Sequence, residues 1–282
     1  MPSSLPDCWA VRNGSRDAQP LVSRVMPPGL VYHPADITAY DVTVSGYNGD
    51  PVPAYVARPA EGGTHPGLLL VHGIHGYEEH MKDMARRYAA LGYAAIVPAL
   101  YSRDGFLTVV EHSDLDLARD ALNSRPNAQT VGDLQGGLDF LRASLHVNER
   151  IGLVGFCSGG RLGLVFASSR ASGAGQVDVF VNFYSNGLFQ PTAVNTTSPS
   201  EFAASLGCPM LALFGDDDTN PSPDDVARLR EVLERSGKTF EFVSYPRAGH
   251  AFMSDTRESY RPEAAQMAWG RCLEWLSRYL KP

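Results

Sequence analysis

The stretch "RIGLVGFCSGGRLGLVFASS", Arg150–Ser169, decides how the rest of the chain folds around it. Ile151 to Phe156 is a short run with no polar side chain, which fits a strand buried on both faces. From Gly159 onward the residues are apolar on nearly every side at helical spacing, so that helix belongs at the centre of a fold. Between them stands Gly155-Phe156-Cys157-Ser158-Gly159-Gly160. So tight a strand-to-helix turn needs glycine two positions to either side of its central residue, where backbones approach, and it strains the central residue. It also presents Cys157 at the N-terminus of the helix, where the dipole and free N–H groups favour a thiolate. The Ser158 N–H points toward the place where an oxyanion would form. The plain alternative is a small buried cysteine in a glycine-rich turn.

Working outward, the same alternation recurs. "GLLLVHG" (67–73) and "YAAIVPALY" (93–101) read as buried strands on either side of a helix over 78–91, with Met81, Met84, Ala85, Tyr88 and Leu91 on one face. A partly helical stretch, 108–145, leads to the central strand. "VDVFVNFY" (177–184), "PMLALFG" (209–215) and "TFEFVSY" (239–245) are further strands. The helix over 223–236 has Ser222 as N-cap, Pro223 in the first turn, Asp224 and Asp225 at its positive end and Gly237 at its exit. A last helix runs to about Leu280, with Met267, Cys272, Leu273, Leu276 and Leu280 facing inward. "YDVTVSGYNGDPVPAYVARP" (Tyr40–Pro59) alternates like two strands around Asn48-Gly49-Asp50. Strands alternating with helices mean a mostly parallel central sheet with helices on both faces, and the hairpin adds antiparallel edge strands on the N-terminal side. The organisation expected is an arm of unclear role over 1–38, rich in Pro, Ser and Arg, and a single α/β domain over 39–282.

A chain of 282 residues that is 44% hydrophobic and 20% charged can bury a core of that size, which excludes wholesale disorder. The formal charge of −7 argues against nucleic acid or an anionic membrane as partner. No apolar run has transmembrane length, and the start lacks the basic and apolar regions of a secretion signal, so a cytoplasmic protein is the expectation. Cys8, Cys157, Cys208 and Cys272 are scattered, a pattern of neither a disulfide framework nor a zinc ribbon.

A nucleophile needs a base, and the base needs a group to orient it. "LFGDDDTNPSP" puts three aspartates, Asp216, Asp217 and Asp218, just after one strand, and "YPRAGHAF" puts His250 just after another. The chain order Cys, Asp, His is that of α/β-hydrolase sheets, and all three positions lie beyond strand carboxyl ends, where open α/β sheets place their sites. Three such placements together favour a nucleophile over an inert buried thiol.

"GFCSGG", "GDDDTNPSP" and "AGHAF", with "GYAAIVPALYSR" (Gly92–Arg103), resemble the dienelactone hydrolase family, the cysteine branch of the α/β-hydrolase fold. The resemblance covers about residues 40–280. It implies the α/β-hydrolase fold and Asp218 as the aspartate facing His250. It implies Ile74, in the loop after "GLLLVHG", as the second oxyanion N–H beside that of Ser158, and Arg103, Tyr101 and Tyr184 as substrate-binding residues. Two positions depart from the family pattern. Gly73 stands where the family has a Glu that holds the resting thiol, with Glu78 or Glu79 as candidate substitutes. Ser254 stands where the family has a carboxylate-binding Arg, with Arg257 as a candidate to compensate.

His72, His75 and His80 fall within "LLLVHGIHGYEEHMKD" (Leu68–Asp83) and raise the question of a metal. Three imidazoles would have to converge, yet His80 is already inside the helix, and no Cys or acidic neighbour completes a ligand pattern. A backbone turn that approaches the substrate is the better reading, and neither metal nor organic cofactor is expected. The activity expected is hydrolysis of a small lactone or ester through a thioester on Cys157, the substrate optionally anionic. The rivals are an esterase on a different small ester and a non-catalytic ligand-binding protein of the same fold. A monomer or homodimer is expected.

Overall fold

A computed structural model describes residues 27–29, 33–105, 114–169 and 176–281. Most of the expected arm over 1–38 therefore lies outside the described residues. In chain order the strands are β1 (Ile37–Ser45), β2 (Pro51–Pro59), β3 (His65–Val71), β4 (Ala94–Pro98), β5 (Val147–Phe156), β6 (Val179–Phe183), β7 (Met210–Gly215) and β8 (Phe240–Tyr245). The helices are α1 (Glu79–Ala90), α2 (Leu115–Asn123), α3 (Asn127–Ala143), α4 (Ser158–Ser168), α5 (Pro199–Phe202), α6 (Pro223–Arg235) and α7 (Pro262–Leu280).

The eight strands form one sheet in the order β1-β2-β4-β3-β5-β6-β7-β8. β1 pairs with β2, and β2 with β4, antiparallel; every later pairing is parallel. This is the mostly parallel sheet with an N-terminal antiparallel edge that the sequence predicts. The hairpin turns at Asn48 and Gly49, both at positive φ, and Ser45 opposes Pro51.

Alternate residues of the buried strands serve opposite faces, because side chains in a strand point up and down in turn. Leu68 and Leu70 of β3, with Val154 and Phe156 of β5, pack in the cluster that contains α1 and α7 residues. Leu69 and Val71, with Ile151 and Leu153, pack on the other face with residues of α3, α4 and α6. Every residue of α4 is buried, as its all-round apolar pattern requires. Two glycines make the close approach of α4 to β5 and β3 possible. A Cβ on Gly155 would stand 2.3 Å from the Gly159 carbonyl oxygen, and one on Gly159 would stand 2.2 Å from that of Val71.

Two inward assignments are corrected. Met267 is 52% exposed, because the buried stripe of α7 runs through Ala264, Ala265, Ala268, Cys272 and Leu276, and Met267 is rotated off it. Leu91 is also exposed, since α1 ends at Ala90 and Leu91 caps it on the turn into Gly92. The punctuation of α6 is as expected: the Ser222 hydroxyl accepts from the Asp225 N–H at 3.2 Å, and Gly237 leaves at φ 60°.

The crossover pattern positions the site. From β3 the chain moves outward to β4, then returns to add β5 on the opposite side of β3. The loops leaving β3 and β5 diverge, and a crevice opens between them at the carboxyl edge.

Candidate active site

Four of those carboxyl-edge loops converge on Cys157. It follows β5 at φ 57° and ψ −126°, the strained conformation anticipated for the centre of the turn. Its N–H donates to the Phe183 carbonyl at 3.0 Å, which pins the strained residue to the end of β6. His250, beyond β8, places Nε2 3.0 Å from the Cys157 sulfur. Its Nδ1 lies 2.9 Å from Asp218 Oδ2, beyond β7. The other Asp218 oxygen accepts from the Asn220 N–H at 2.9 Å, so the carboxylate is held from both sides. Asp218 is buried, whereas Asp216 and Asp217 are exposed; burial is what singles out one of three adjacent aspartates.

The backbone N–H groups of Ile74 and Ser158 both reach the sulfur. Burial pushes the Cys157 thiol up, but the His250 ring and these two N–H groups outweigh it and hold it below the ordinary thiol range. For His250, burial favours the neutral ring; the Cys157 sulfur and the Asp218 carboxylate overcome this and raise it to about 10. The two shifts act in the same sense: each favours the charged form of its group, the imidazolium and the thiolate, relative to the free side chains. The Asn186 side-chain amide adds a longer donor at 3.6 Å from the sulfur. Sequence reading missed this residue; the one available hint is its place just past the carboxyl end of β6.

The cleft over the sulfur is lined by Ile74, Glu78, Tyr184, Ser254 and Arg257 among others. The Tyr184 ring also packs edge-on against His250, with centroids 5.4 Å apart. Glu78 and Arg257 face each other across the cleft at 3.3 Å. No side chain occupies the family's Glu position: a Cβ on Gly73 would lie 3.7 Å from the sulfur.

Tyr101 and Arg103, expected among the substrate-binding residues, do not line this cleft. Tyr101 is wholly buried, with its ring against His72 on one side and under the Arg125 guanidinium on the other. Arg103 is drawn away by carboxylates: it bonds Asp133, which is itself wholly buried, and Asp50 at 2.9 Å. The histidines of the β3 loop separate likewise. His72 donates from Nδ1 to the Gly73 carbonyl at 2.8 Å and accepts the Leu100 N–H on Nε2 at 3.1 Å, so both nitrogens hold backbone. Burial pushes it down to about 4 and keeps it neutral. His75 and His80 line the cleft, and His80 Nδ1 stands 3.5 Å from Asp255.

The architecture and the strand-to-helix turn define an α/β hydrolase. Pyrococcus horikoshii acylaminoacyl peptidase shares that fold, with a TM-score of 0.67 and 16% identity over 87% of this chain and 42% of its own. The chain belongs to the dienelactone hydrolase family, whose model matches residues 52–280, and is a hydrolase of that family. A Methylorubrum extorquens relative named "Putative carboxymethylenebutenolidase" is 37% identical over 229 residues, 81% of this chain and 77% of its own length. The crystal structure of a "Putative Dienelactone Hydrolase" from Klebsiella pneumoniae superposes with a TM-score of 0.80 at 32% identity, covering 86% of this chain and 99% of that one.

Proposed function

We propose that the protein hydrolyses a small ester or lactone through a thioester on Cys157, within a domain spanning residues 39–282. The observation that carries this reading is the continuous relay from Asp218 through His250 to a sulfur that two backbone N–H groups also reach. The thiolate attacks the carbonyl carbon, and the resulting oxyanion is taken up by the N–H groups of Ile74 and Ser158. His250 gives its Nε2 proton to the departing oxygen, leaving a thioester and a neutral imidazole. That imidazole takes a proton from water, the hydroxide adds to the thioester, and the C–S bond breaks to restore the thiolate. Asp218 holds Nδ1–H throughout, which orients the ring and stabilises its cation. A thiolate is matched to esters with a stable leaving group, such as a conjugated enolate, better than to amides. A non-catalytic binder would have no use for this set of groups.

The test is turnover of nitrophenyl acetate by Cys157→Ala and His250→Ala. Each variant is expected to lose activity by about a thousandfold or more while keeping its circular dichroism. Wild-type turnover in either folded variant would overturn the assignment. The acetyl adduct on Cys157 should also be trapped by mass spectrometry at short reaction times.

A second reading concerns the substrate. Arg257 is the cation placed to meet a substrate carboxylate, but Glu78 already pairs with it at 3.3 Å. That pair favours a neutral ester unless the substrate displaces Glu78. A panel of aryl esters with and without a carboxylate decides between them through the ratio of their kcat/KM values.

A further inference from the structure

Beside the loop that carries Asn186 and Gly187 lies a second cleft, whose lining shares no residue with the first. Two arginines from different elements line it, Arg125 from the turn before α3 and Arg161 from the first turns of α4, together with Gln190, Thr192 and Thr197. Both are nearly inaccessible, at 5% and 7% exposed. They are also short of negative charge. Arg125 ion-pairs with Asp104 through one terminal nitrogen and lies over the Tyr101 ring at 4.6 Å. Its Nε and other terminal nitrogen are buried with no hydrogen-bond partner. Arg161 donates to the Asn123 amide oxygen at 3.2 Å, and among the described residues no carboxylate lies within ion-pair distance of it. Of these two buried guanidinium groups, only Arg125 has an ion-paired carboxylate. An uncompensated buried cation is costly, and a guanidinium does not escape by losing its proton. Burial pushes both groups below their ordinary value, and Asp104 and Asp133 near Arg125 and the Cys157 sulfur near Arg161 offset only part of this.

We propose that this cleft is a binding site for a small oxyanion, a carboxylate or a phosphate group, held by Arg125 and Arg161. The planar forks of arginine match the paired oxygens of such a group, and the unpartnered nitrogens of Arg125 are the donors waiting for it. The wall is set before any ligand arrives: the Asn195 side chain accepts from the Asn127 N–H at 2.7 Å and donates to the Arg125 carbonyl at 2.8 Å. The site also adjoins the reactive one. A Cβ on Gly187 would stand 2.5 Å from a terminal nitrogen of Arg161, and the preceding residue, Asn186, donates to the Cys157 sulfur. An anion here is either a free ion or the remote end of a molecule reaching past that loop.

Isothermal titration of the full chain with inorganic phosphate tests the site without relying on catalysis, and Cys157→Ala should bind phosphate like the wild type even if the hydrolytic reading fails. Arg161→Gln and Arg125→Lys should each weaken phosphate binding by about tenfold or more, the loss of a charged hydrogen bond, with near-UV circular dichroism unchanged. The lysine variant keeps the charge and loses only the fork, so it serves where a neutral residue at 125 does not fold. Absence of phosphate binding to the wild type at millimolar concentration, or equal affinity in both folded variants, overturns the proposal. Phosphate that competes with a carboxylate-bearing ester and not with a neutral one identifies the anion as part of the substrate. Binding that competes with neither identifies a free ion.

Discussion

At the scale of single residues, the sulfur and the imidazole stand 3.0 Å apart, and their opposite shifts set the expected pH behaviour. The thiolate is lost as pH falls through the lowered range of Cys157, and the imidazolium is lost as pH rises through about 10. In the proposed mechanism acylation uses both charged forms, so kcat/KM for a nitrophenyl ester should follow a bell whose alkaline limb lies near 10. The proposed thioester would remove the negative partner, leaving His250 able to act as a base at neutral pH. An alkaline limb near the ordinary histidine range in the free enzyme would contradict the ion pair. Asp218→Asn, which removes the charge and favours the wrong tautomer, should lower kcat by about a thousandfold to ten-thousandfold with the fold intact. Thiol labelling separates the cysteines. Burial raises Cys272 to about 12, Tyr88 offsetting part of the effect, so at neutral pH Cys157 should react far faster. Equal rates at the two positions would refute an activated Cys157.

At the scale of elements, the site depends on how closely α4 approaches the end of β5 and the loop after β3. Gly159→Ala would force a methyl group to 2.2 Å from the Val71 oxygen, which belongs to backbone and cannot swing aside. It should cost about 3 kcal/mol or more in urea unfolding and displace the Ile74 loop with it. Ser222→Ala, which removes the cap of α6 far from Cys157, should cost only about 1 kcal/mol and leave kcat unchanged. These elements were legible in advance because their patterns are local: the apolar runs of β3 to β8, the apolar α4 and the cap of α6 each declare themselves within about a dozen residues. Met267 and Leu91 were misplaced because a helix period marks a stripe only to within one residue and says nothing of where the helix stops.

At the scale of the whole molecule, the loop after His250 is tied back to α1 by buried charge. Arg87, 2% exposed, bonds Asp83 at 2.7 Å and Asp255 at 2.5 Å and donates to the Pro28 carbonyl at 3.2 Å. Burial would raise the Asp255 carboxyl, but His80 and Arg87 prevail and hold it at about 2. A carboxyl whose folded value is depressed contributes stability above its unfolded value and loses it as pH falls through the folded one. Between about pH 4 and pH 2 the wild type should therefore lose more stability than Asp255→Asn, followed by urea titration at each pH. Parallel losses in the two proteins would mean that the network contributes nothing net. Among the described residues no helix is long and apolar enough to cross a membrane.

By itself the sequence determined the alternation of strands and helices, the glycine-flanked turn that presents Cys157, and the order in which the thiol, the aspartates and His250 follow their strands. These are properties of short segments, where backbone sterics and hydrophobic period leave few choices. Only the tertiary structure decided which of three adjacent aspartates is buried against the imidazole and that Asn186 reaches the sulfur. It also decided that Arg103 turns to Asp133 and away from the cleft, while Arg125 and Arg161 meet in another. Each of those outcomes depends on which charges and surfaces distant segments bring together, and a charged side chain takes the nearest partner in space, whose place in the chain no local pattern encodes.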